Sequence, residues 1–149
     1  MILILGFYGV GKTYLKDRKG MIDLTDLGTP SLSTLLTYYN NPDYEIIMAD
    51  SQWEKVFINS KLPFYVVIPT PDRKDEFLSN YRERYKNGTG GGDDRFCDII
   101  DRNWYEWLEY SRTKIPCEAI IQLEKGEWVA DAIEYLNKNY LIKTMLSCL

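Results

Sequence analysis

A glycine-rich octapeptide that ends in lysine and threonine carries the clearest chemical signal in the chain. Residues 6–13, GFYGVGKT, match the pattern G-x-x-x-x-G-K-[ST] at every fixed position, and we call them the GKT loop. Glycines let such a loop bend so that its N–H groups surround a phosphate, while the lysine reaches the β- and γ-phosphates and the threonine binds Mg²⁺. A glycine-rich turn without a ligand is the alternative. The predicted contacts to ATP come from Gly6, Tyr8, Gly9, Val10, Gly11, Lys12, Thr13 and Tyr14.

Two aspartates stand where apolar strands are expected to end. Asp23 follows Met21 and Ile22, and Asp50 follows the apolar run 46–49. In an open parallel sheet, ligands gather at the carboxyl ends of the strands, so both carboxylates are expected to face the nucleotide. We expect Asp50 to bind Mg²⁺ together with Thr13, and Asp23 to position or deprotonate an acceptor. The alternative for both aspartates is a capping or loop role.

Four arginines flank a second glycine-rich segment. Residues 87–94 read NGTGGGDD, a run that is conformationally free and cannot bury a core. We expect a mobile lid around residues 86–96, for which a plain flexible linker is the alternative. Guanidinium groups delivered by a closing lid stabilise the charge on a transferring phosphoryl group. With Lys12 and Asp23, the candidate catalytic residues are therefore Arg82, Arg84, Arg95 and Arg102.

Short apolar, β-rich runs alternate with longer helical patterns, which indicates βαβ units and a parallel sheet covered on both faces. Strands are predicted at residues 1–5, 21–24, 45–49, 64–68 and 119–123. Helices are predicted at residues 12–19, 31–39, 51–60, 72–86, 96–112 and 129–139. The first of these helices would aim its N-terminal amides at the phosphates. The helix at 72–86 has the clearest apolar face, formed by Phe77, Leu78, Tyr81 and Tyr85.

Composition narrows the functional classes. The 149 residues fit one domain without an apolar stretch long enough to cross a membrane, and we expect a cytoplasmic protein. The chain has no histidine, which excludes Ser-His-Asp and Cys-His catalysis and the common zinc sites. The three cysteines are widely spaced and are expected to be reduced thiols. A net charge of −4 gives no general attraction to extended nucleic acid or to an anionic membrane.

The GKT loop after a first strand, the acidic end of the second strand and the arginines around a late loop resemble the nucleoside monophosphate kinase group of P-loop proteins. The chain looks particularly like the small adenylate-kinase-like and deoxynucleoside monophosphate kinases of bacteriophages. The resemblance is specific over residues 1–13 and architectural over residues 21–123. It implies a three-layer P-loop NTPase fold in a single domain over residues 1–149, with a five-stranded parallel sheet in the order 2-3-1-4-5, helices on both faces and a lid.

One departure from that group concerns the acceptor. Such kinases usually hold the acceptor phosphate with arginines after the second and third strands, yet no arginine occurs between Arg18 and Arg73. Only Lys55 and Lys61 are cationic in that region, and a lysine lacks the planar fork of a guanidinium. A monophosphate acceptor is therefore the weaker part of the resemblance.

Two functional hypotheses follow. The first is an ATP- and Mg²⁺-dependent kinase that transfers the γ-phosphoryl group to a nucleotide, with a (deoxy)nucleoside monophosphate as the preferred acceptor. The second is a nucleotide-binding module with slow or no turnover that transmits lid closure to a partner. The apolar residues 140–149, YLIKTMLSCL, are expected to dock on the chain's own core, with a homodimer as the alternative.

Overall fold

A parallel sheet organises the chain. The computed structural model describes the backbone of residues 1–147 and the side chains of residues 1–139. One five-stranded sheet has the order β2-β3-β1-β4-β5, and all of its neighbouring strands are parallel. The strands are β1 (Ile2–Gly6), β2 (Met21–Asp23), β3 (Ile46–Ala49), β4 (Tyr65–Pro69) and β5 (Ala119–Leu123). The predicted α/β class, the five strands and their order are confirmed.

The central strands are buried on both faces. Every residue of β3 is buried, and successive side chains of a strand point to opposite faces, so other parts of the chain cover the sheet on each side. This burial explains why the strands read as continuous apolar runs. In the register of β1 and β3, Leu5 pairs with Ala49. The register therefore brings the start of the GKT loop next to Asp50.

Five α-helices connect or follow the strands. They are α1 (Leu32–Tyr39), α2 (Glu54–Ser60), α3 (Lys74–Lys86), α4 (Asp94–Thr113) and α5 (Val129–Ser147). Side-chain caps begin two of them: Ser31 accepts the N–H of Thr34 at 3.2 Å, and Asp93 accepts the N–H of Phe96 at 2.8 Å. The predicted helices at 31–39, 51–60, 72–86 and 96–112 are confirmed to within three residues at their ends. The helix predicted at 129–139 begins where expected but continues to Ser147, so its predicted end is wrong.

The helix predicted at residues 12–19 is wrong. Only a 3-10 turn forms there, from Lys12 to Tyr14, and turns and bends continue to residue 20. Leu15 is the one apolar residue buried after this turn, because the following residues 16–19 are charged and exposed. A longer helix would therefore have had no apolar stripe to pack against the sheet. The expected contribution of a helix dipole to phosphate binding is lost with it.

The glycine segment after α3 is a short, packed turn in this structure. Residues 87–93 separate α3 from α4, so the turn is shorter than the predicted lid. The N–H of Thr89 donates to the carbonyl of Arg84 at 2.9 Å, and that of Gly92 donates to the carbonyl of Tyr81 at 3.3 Å. A Cβ atom on Gly91 would lie 2.2 Å from the carbonyl oxygen of Tyr81. Close approach to α3 thus explains a glycine there, and the lid stays a prediction.

Two further expectations concern membranes and the end of the chain. Among the described residues, no helix combines the length and apolarity that a membrane span requires. The predicted docking of residues 140–149 depends on side chains outside the described part of the structure.

Candidate functional site

Glycines shape the GKT loop. Gly9 has φ of 82° and Gly11 has φ of 103°, a region that residues with a side chain rarely adopt. At Gly6, an added Cβ would lie 3.0 Å from Cγ2 of Val10 and 3.3 Å from Cδ of Lys12. A side chain at this position would therefore crowd Val10 and Lys12 where the loop folds back over the end of β1.

Several backbone amides of the loop have no acceptor. Within the described part of the chain, the N–H groups of Tyr8, Gly9 and Gly11 donate no hydrogen bond, whereas that of Val10 donates to Phe7 at 3.4 Å. Successive N–H groups in such a turn form a concave site for an anion. The loop thus offers donors for phosphate oxygens even though no long helix follows it.

Lys12 is buried at the base of the loop, with 7% of its surface exposed. Burial lowers the pKa of Lys12, and the nearby carboxylates of Asp23 and Asp50 oppose that shift. Among the described side chains, neither carboxylate forms a direct ion pair with Lys12. An ammonium group held close to two acids without a direct partner remains able to bind phosphate oxygens.

Asp23 and Asp50 end the neighbouring strands β2 and β3, and both are buried. Asp23 accepts the N–H of Thr25 at 3.1 Å, and Asp50 accepts the N–H of Gln52 at 3.0 Å. Each aspartate therefore caps the 3-10 turn that follows it, and its expected role toward the metal or the acceptor stays a prediction. Burial raises the pKa of Asp50, while the Gln52 N–H and Lys12 act in the opposite direction. The two caps coexist with positions near Lys12.

Thr13 and Asp50 offer the two kinds of oxygen, a hydroxyl and a carboxylate, that a magnesium ion bound with a triphosphate takes as ligands. The described residues contain no group of three or more His, Cys, Asp or Glu side chains that would form a metal site by themselves. Mg²⁺ is usually held by one or two protein oxygens together with substrate phosphates and water, so a hydroxyl and one carboxylate suffice. The side chain of Thr13 is exposed and that of Asp50 is buried at a strand end.

A cavity of about 600 Å³ borders the later residues of the GKT loop, Gly9 and Gly11. We call it the arginine cavity, because Arg18 and Arg84 lie in its wall. Four aromatic side chains also line it, those of Tyr14, Phe77, Tyr81 and Trp128, and Tyr14 is 77% exposed. Its volume lies within the range of about 300–1,000 Å³ that small-molecule sites occupy.

Arg84 is the predicted lid arginine that reaches this cavity. It lies close enough to Lys12 to lower the lysine pKa, and its guanidinium donates to the carbonyl of Thr89 at 3.2 Å. Arg82, Arg95 and Arg102 are exposed and line neither of the cavities beside the GKT loop. Arg82 and Arg84 are two positions apart on α3 and therefore project to opposite sides of the helix. A catalytic role for the other three arginines stays a prediction.

Tyr81 attaches α3 to the GKT loop. Its hydroxyl donates a hydrogen bond to the backbone carbonyl of Tyr8. Its ring fills the space above Gly9, where an added Cβ would lie 2.5 Å from Cε1 of Tyr81. Burial raises the pKa of Tyr81, so the hydroxyl stays protonated as a donor. From the sequence alone, Tyr81 is predictable only as part of the apolar face of a helix.

Arg73 ties the start of α3 to the segment before α5. The guanidinium is 3% exposed and pairs through Nε and Nη2 with both oxygens of Glu76, at 2.7 and 3.0 Å. The remaining nitrogen, Nη1, donates to three backbone carbonyls, those of Leu123, Glu124 and Glu127. Arginine is suited to this position because its planar fork donates in several directions at once.

The same guanidinium positions Trp128. It lies 5.0 Å from the ring centroids of both Phe77 and Trp128. Next to the indole, the N–H of Val129 donates to the carbonyl of Val10 at 2.8 Å. Trp128 is thereby fixed in the wall of the arginine cavity. Its place after β5, at the carboxyl end of a strand, is the signal that would have identified it from the sequence.

A second cavity, of about 400 Å³, borders the first residues of the loop, Gly6, Phe7 and Tyr8. Its floor comes from β1 and β4, and its wall from α4. We call it the acidic cavity, because Glu54 and Glu106 are the only charged residues that line it among the side chains the structure describes. No local sequence pattern predicts the acidic cavity, since its lining comes from four separate parts of the chain.

Hydrogen bonds order the polar side of the acidic cavity. The hydroxyls of Tyr8 and Ser51 are 2.8 Å apart and share a hydrogen bond. The hydroxyl of Tyr110 donates to Oε2 of Glu54 at 2.7 Å, and this contact raises the pKa of Tyr110. Tyr8 thus connects the GKT loop to Ser51, the residue that follows Asp50.

The loop, the strand-end aspartates and the two cavities define a candidate site for phosphate chemistry. The resemblance to P-loop kinases rests on the residues of the GKT loop and on the strand order. Comparison with family models, with curated proteins and with solved structures found no match to this chain in any of the three.

Proposed function

We propose that this chain is an ATP- and Mg²⁺-dependent phosphotransferase, related in design to P-loop nucleoside monophosphate kinases, that acts on a small acceptor. The observation that carries the proposal is that two separate cavities border one GKT loop. Transfer of a group between two substrates requires both to be held next to the same reacting centre. A protein that only binds a nucleotide needs a single cavity.

The arginine cavity suits the triphosphate. Lys12 and the unpaired amides of the loop supply the charge and the donors for its phosphates, and Arg84 adds a second cation. Tyr14 and Trp128 offer aromatic surface for the base. Thr13 and Asp50 would hold Mg²⁺, which, when bound, neutralises charge on the phosphates.

The chain's own contribution to the reaction is positioning and charge. Lys12 balances the negative charge on the γ-phosphoryl group, and Arg84 is placed to stabilise it from α3. Asp23, at the end of β2, lines neither cavity, so the cavities give no support to its predicted role in orienting the acceptor. Phosphoryl transfer needs little covalent work from a protein, so this set of residues is sufficient.

The test is ADP release from ATP and Mg²⁺ with each nucleoside monophosphate and each nucleoside as acceptor, and with Lys12→Ala as the blank. We expect one acceptor to raise the rate strongly. Arg84→Ala should lower kcat by about 100-fold with little change in ATP affinity, as for removal of one transition-state donor. Arg112→Ala, at an exposed arginine of α4 that lines neither cavity, is the matched control and should keep its rate.

One observation favours the second candidate, a nucleotide-binding module that couples to a partner. Arg82, Arg95 and Arg102 lie on exposed surface, where a partner would meet them. For such a module, ATP would bind and Lys12→Ala would abolish binding, but no acceptor would raise ADP release. That result would replace the phosphotransferase proposal.

A further inference from the structure

The acidic cavity has a charge pattern that bears on the acceptor. We propose that the acceptor is an uncharged nucleoside, bound in the acidic cavity through its aromatic ring and its hydroxyls, rather than a nucleoside monophosphate. This inference rests on the phosphotransferase proposal and narrows its substrate class. It departs from the acceptor that the kinase resemblance implies.

A monophosphate has no partner in this cavity. Among the side chains that the structure describes, residues 1–139, the lining contains the carboxylates of Glu54 and Glu106 and no lysine or arginine. A phosphate group carries a charge of about −1.5 to −2 near neutral pH, so it would be repelled by the two carboxylates. The cations near the loop do not line the acidic cavity. Arg18 and Arg84 line the arginine cavity, and Lys12 lies under the GKT loop.

Lysines elsewhere do not change this pattern. Lys55 and Lys61, the cations expected to hold an acceptor phosphate, are exposed and do not line the acidic cavity. Lys55 follows Glu54 directly on α2, and neighbouring positions of a helix point in different directions. A dianion in the cavity would therefore remain without a charged donor from either lysine.

The cavity walls suit an aromatic ring with polar substituents. Trp107 and Tyr110 lie three positions apart on α4 and so share one face of the helix. Opposite them, Leu5, Val66 and Ile68 provide an aliphatic floor. An apolar slot of about 400 Å³ with one aromatic side is the kind of site that takes a small planar molecule.

Polar groups at the edge of the slot match a nucleoside's hydrogen-bond donors. Glu54 accepts the hydroxyl of Tyr110 through Oε2, which orients the carboxylate and leaves it able to accept from a sugar hydroxyl or a base amino group. Ser51 and Ser111 add hydroxyls that donate or accept. Carboxylates accept only, and for this reason the site favours a ligand rich in O–H and N–H groups.

The acidic cavity also extends to the GKT loop, where the phosphoryl transfer would take place. Gly6 and Tyr8 belong both to its lining and to the GKT loop, and Ser51 follows Asp50. In the transfer, the acceptor's hydroxyl oxygen forms a bond to the γ-phosphorus, and the bond from that phosphorus to the β–γ bridging oxygen breaks. ADP leaves with the bonding electron pair, and the hydroxyl proton is released to water. The products are a nucleoside monophosphate and ADP.

The first experiment compares each ribo- and deoxynucleoside with its own 5′-monophosphate in two assays. One is ADP release with ATP and Mg²⁺, and the other is calorimetric binding without ATP. We expect at least one nucleoside to bind and to give a kcat/KM about tenfold or more above that of its monophosphate. A monophosphate that exceeds its nucleoside would overturn this inference while supporting the phosphotransferase. ATP binding without stimulation by any acceptor would instead overturn the phosphotransferase, and the absence of nucleoside binding would separately overturn the inference.

Two glutamate variants, one inside the acidic cavity and one outside it, test where the nucleoside binds. Glu54→Gln should raise the nucleoside KM about tenfold and leave the KM for ATP unchanged, as expected for one lost hydrogen bond to a charged group. Glu109→Gln is the matched control, because Glu109 is exposed on α4, pairs with Arg112 and lines neither cavity. Retained ATP binding shows that each variant is folded. Equal nucleoside KM values for the two variants would contradict the proposed site.

Three further variants test the position of the bound nucleoside through binding and fluorescence rather than through the reaction rate. Glu54→Lys places a cation in the slot and should shift binding toward the monophosphate. Trp107→Phe should remove the change in tryptophan fluorescence that a bound nucleoside causes, whereas Trp128→Phe should preserve it. A fluorescence change that survives Trp107→Phe and disappears in Trp128→Phe would place the nucleoside in the arginine cavity and overturn the inference.

Discussion

The hydroxyl of Tyr81 donates a hydrogen bond to the backbone carbonyl of Tyr8, and its ring covers Gly9. One side chain of α3 thus contacts two residues of the GKT loop. The shape of the loop therefore depends on the position of this helix. Because residues 87–93 follow α3 directly, a displacement of that turn would also be transmitted to the loop through Tyr81.

Tyr81→Phe keeps the ring and removes the hydrogen bond. The carbonyl of Tyr8 would lose its donor, so we expect the free energy of unfolding to fall by about 1–2 kcal/mol. Affinity for ATP should fall as well, because the loop becomes less ordered before binding. Urea unfolding and calorimetric titration with ATP measure both effects. Tyr85→Phe, an exposed position on the same helix, is the control and should leave both quantities unchanged.

Gly9→Ala should abolish ATP binding. The added Cβ would lie 2.5 Å from Cε1 of Tyr81 in a residue with φ of +82°, so a steric clash adds to backbone strain. Gly88→Ala is the matched control, because Gly88 has φ of +67° and no atom within 4 Å of an added Cβ. It should cost about 1 kcal/mol of stability and keep ATP binding. Equal losses in both variants would mean that backbone strain alone is responsible.

Arg73→Lys keeps the positive charge but removes the planar guanidinium group, which donates in several directions at once. The lysine cannot pair with Glu76 and also reach the three backbone carbonyls, so we expect a loss of about 2–4 kcal/mol in the free energy of unfolding. ATP affinity should fall too, since Trp128 loses its neighbour. Arg112→Lys, at an exposed arginine paired only with Glu109, should change stability by less than about 0.5 kcal/mol. Chemical denaturation of the two variants makes the comparison.

The free energy of unfolding should depend on pH through the ionisation of Asp50. Burial raises the pKa of this carboxyl above 3.8 in the folded state. Below pH 3.8 the carboxyl is protonated in both the folded and the unfolded chain. As the pH rises from 3.8 to the folded-state pKa, the carboxyl ionises in the unfolded chain but stays protonated in the folded chain. The wild type should therefore lose stability relative to Asp50→Asn over that window.

Urea unfolding of the wild type and Asp50→Asn, from below pH 3.8 to about neutral pH, measures the difference. Asp17→Asn, at an exposed aspartate, corrects for the loss of one surface charge. A wild type that gains stability over Asp50→Asn as the pH rises would show that attraction by Lys12 outweighs burial.

The sheet was predictable because its central strands are buried on both faces. Residues of β1, β3 and β4 therefore read as unbroken apolar runs, and alternating helical patterns fit the connections between parallel strands. Asp23 and Asp50 were predictable for a related reason, since polar residues that interrupt such runs mark the strand ends. The glycines of the GKT loop follow from its backbone angles.

Other features depend on contacts that lie far apart in the sequence. The helix expected at residues 12–19 does not form, because its charged residues offer no apolar stripe to pack against the sheet. The prediction had rested on the helix that usually follows this loop motif. Glycines at 91 and 92 look like a flexible run in the sequence, yet Gly91 is required by close approach to Tyr81. Both cavities are assembled from distant segments, and no local pattern signals them.

The hydrogen bond from the N–H of Val129 to the carbonyl of Val10 has a consequence for biosynthesis. A ribosome adds about 5–20 residues each second, so the GKT loop is made well before the residue that completes its hydrogen bonding. Contacts between such distant residues also form slowly in folding. The nascent chain will therefore carry the motif for some time without a finished binding site. Ligand capture should begin only after the first turn of α5 has left the ribosomal tunnel.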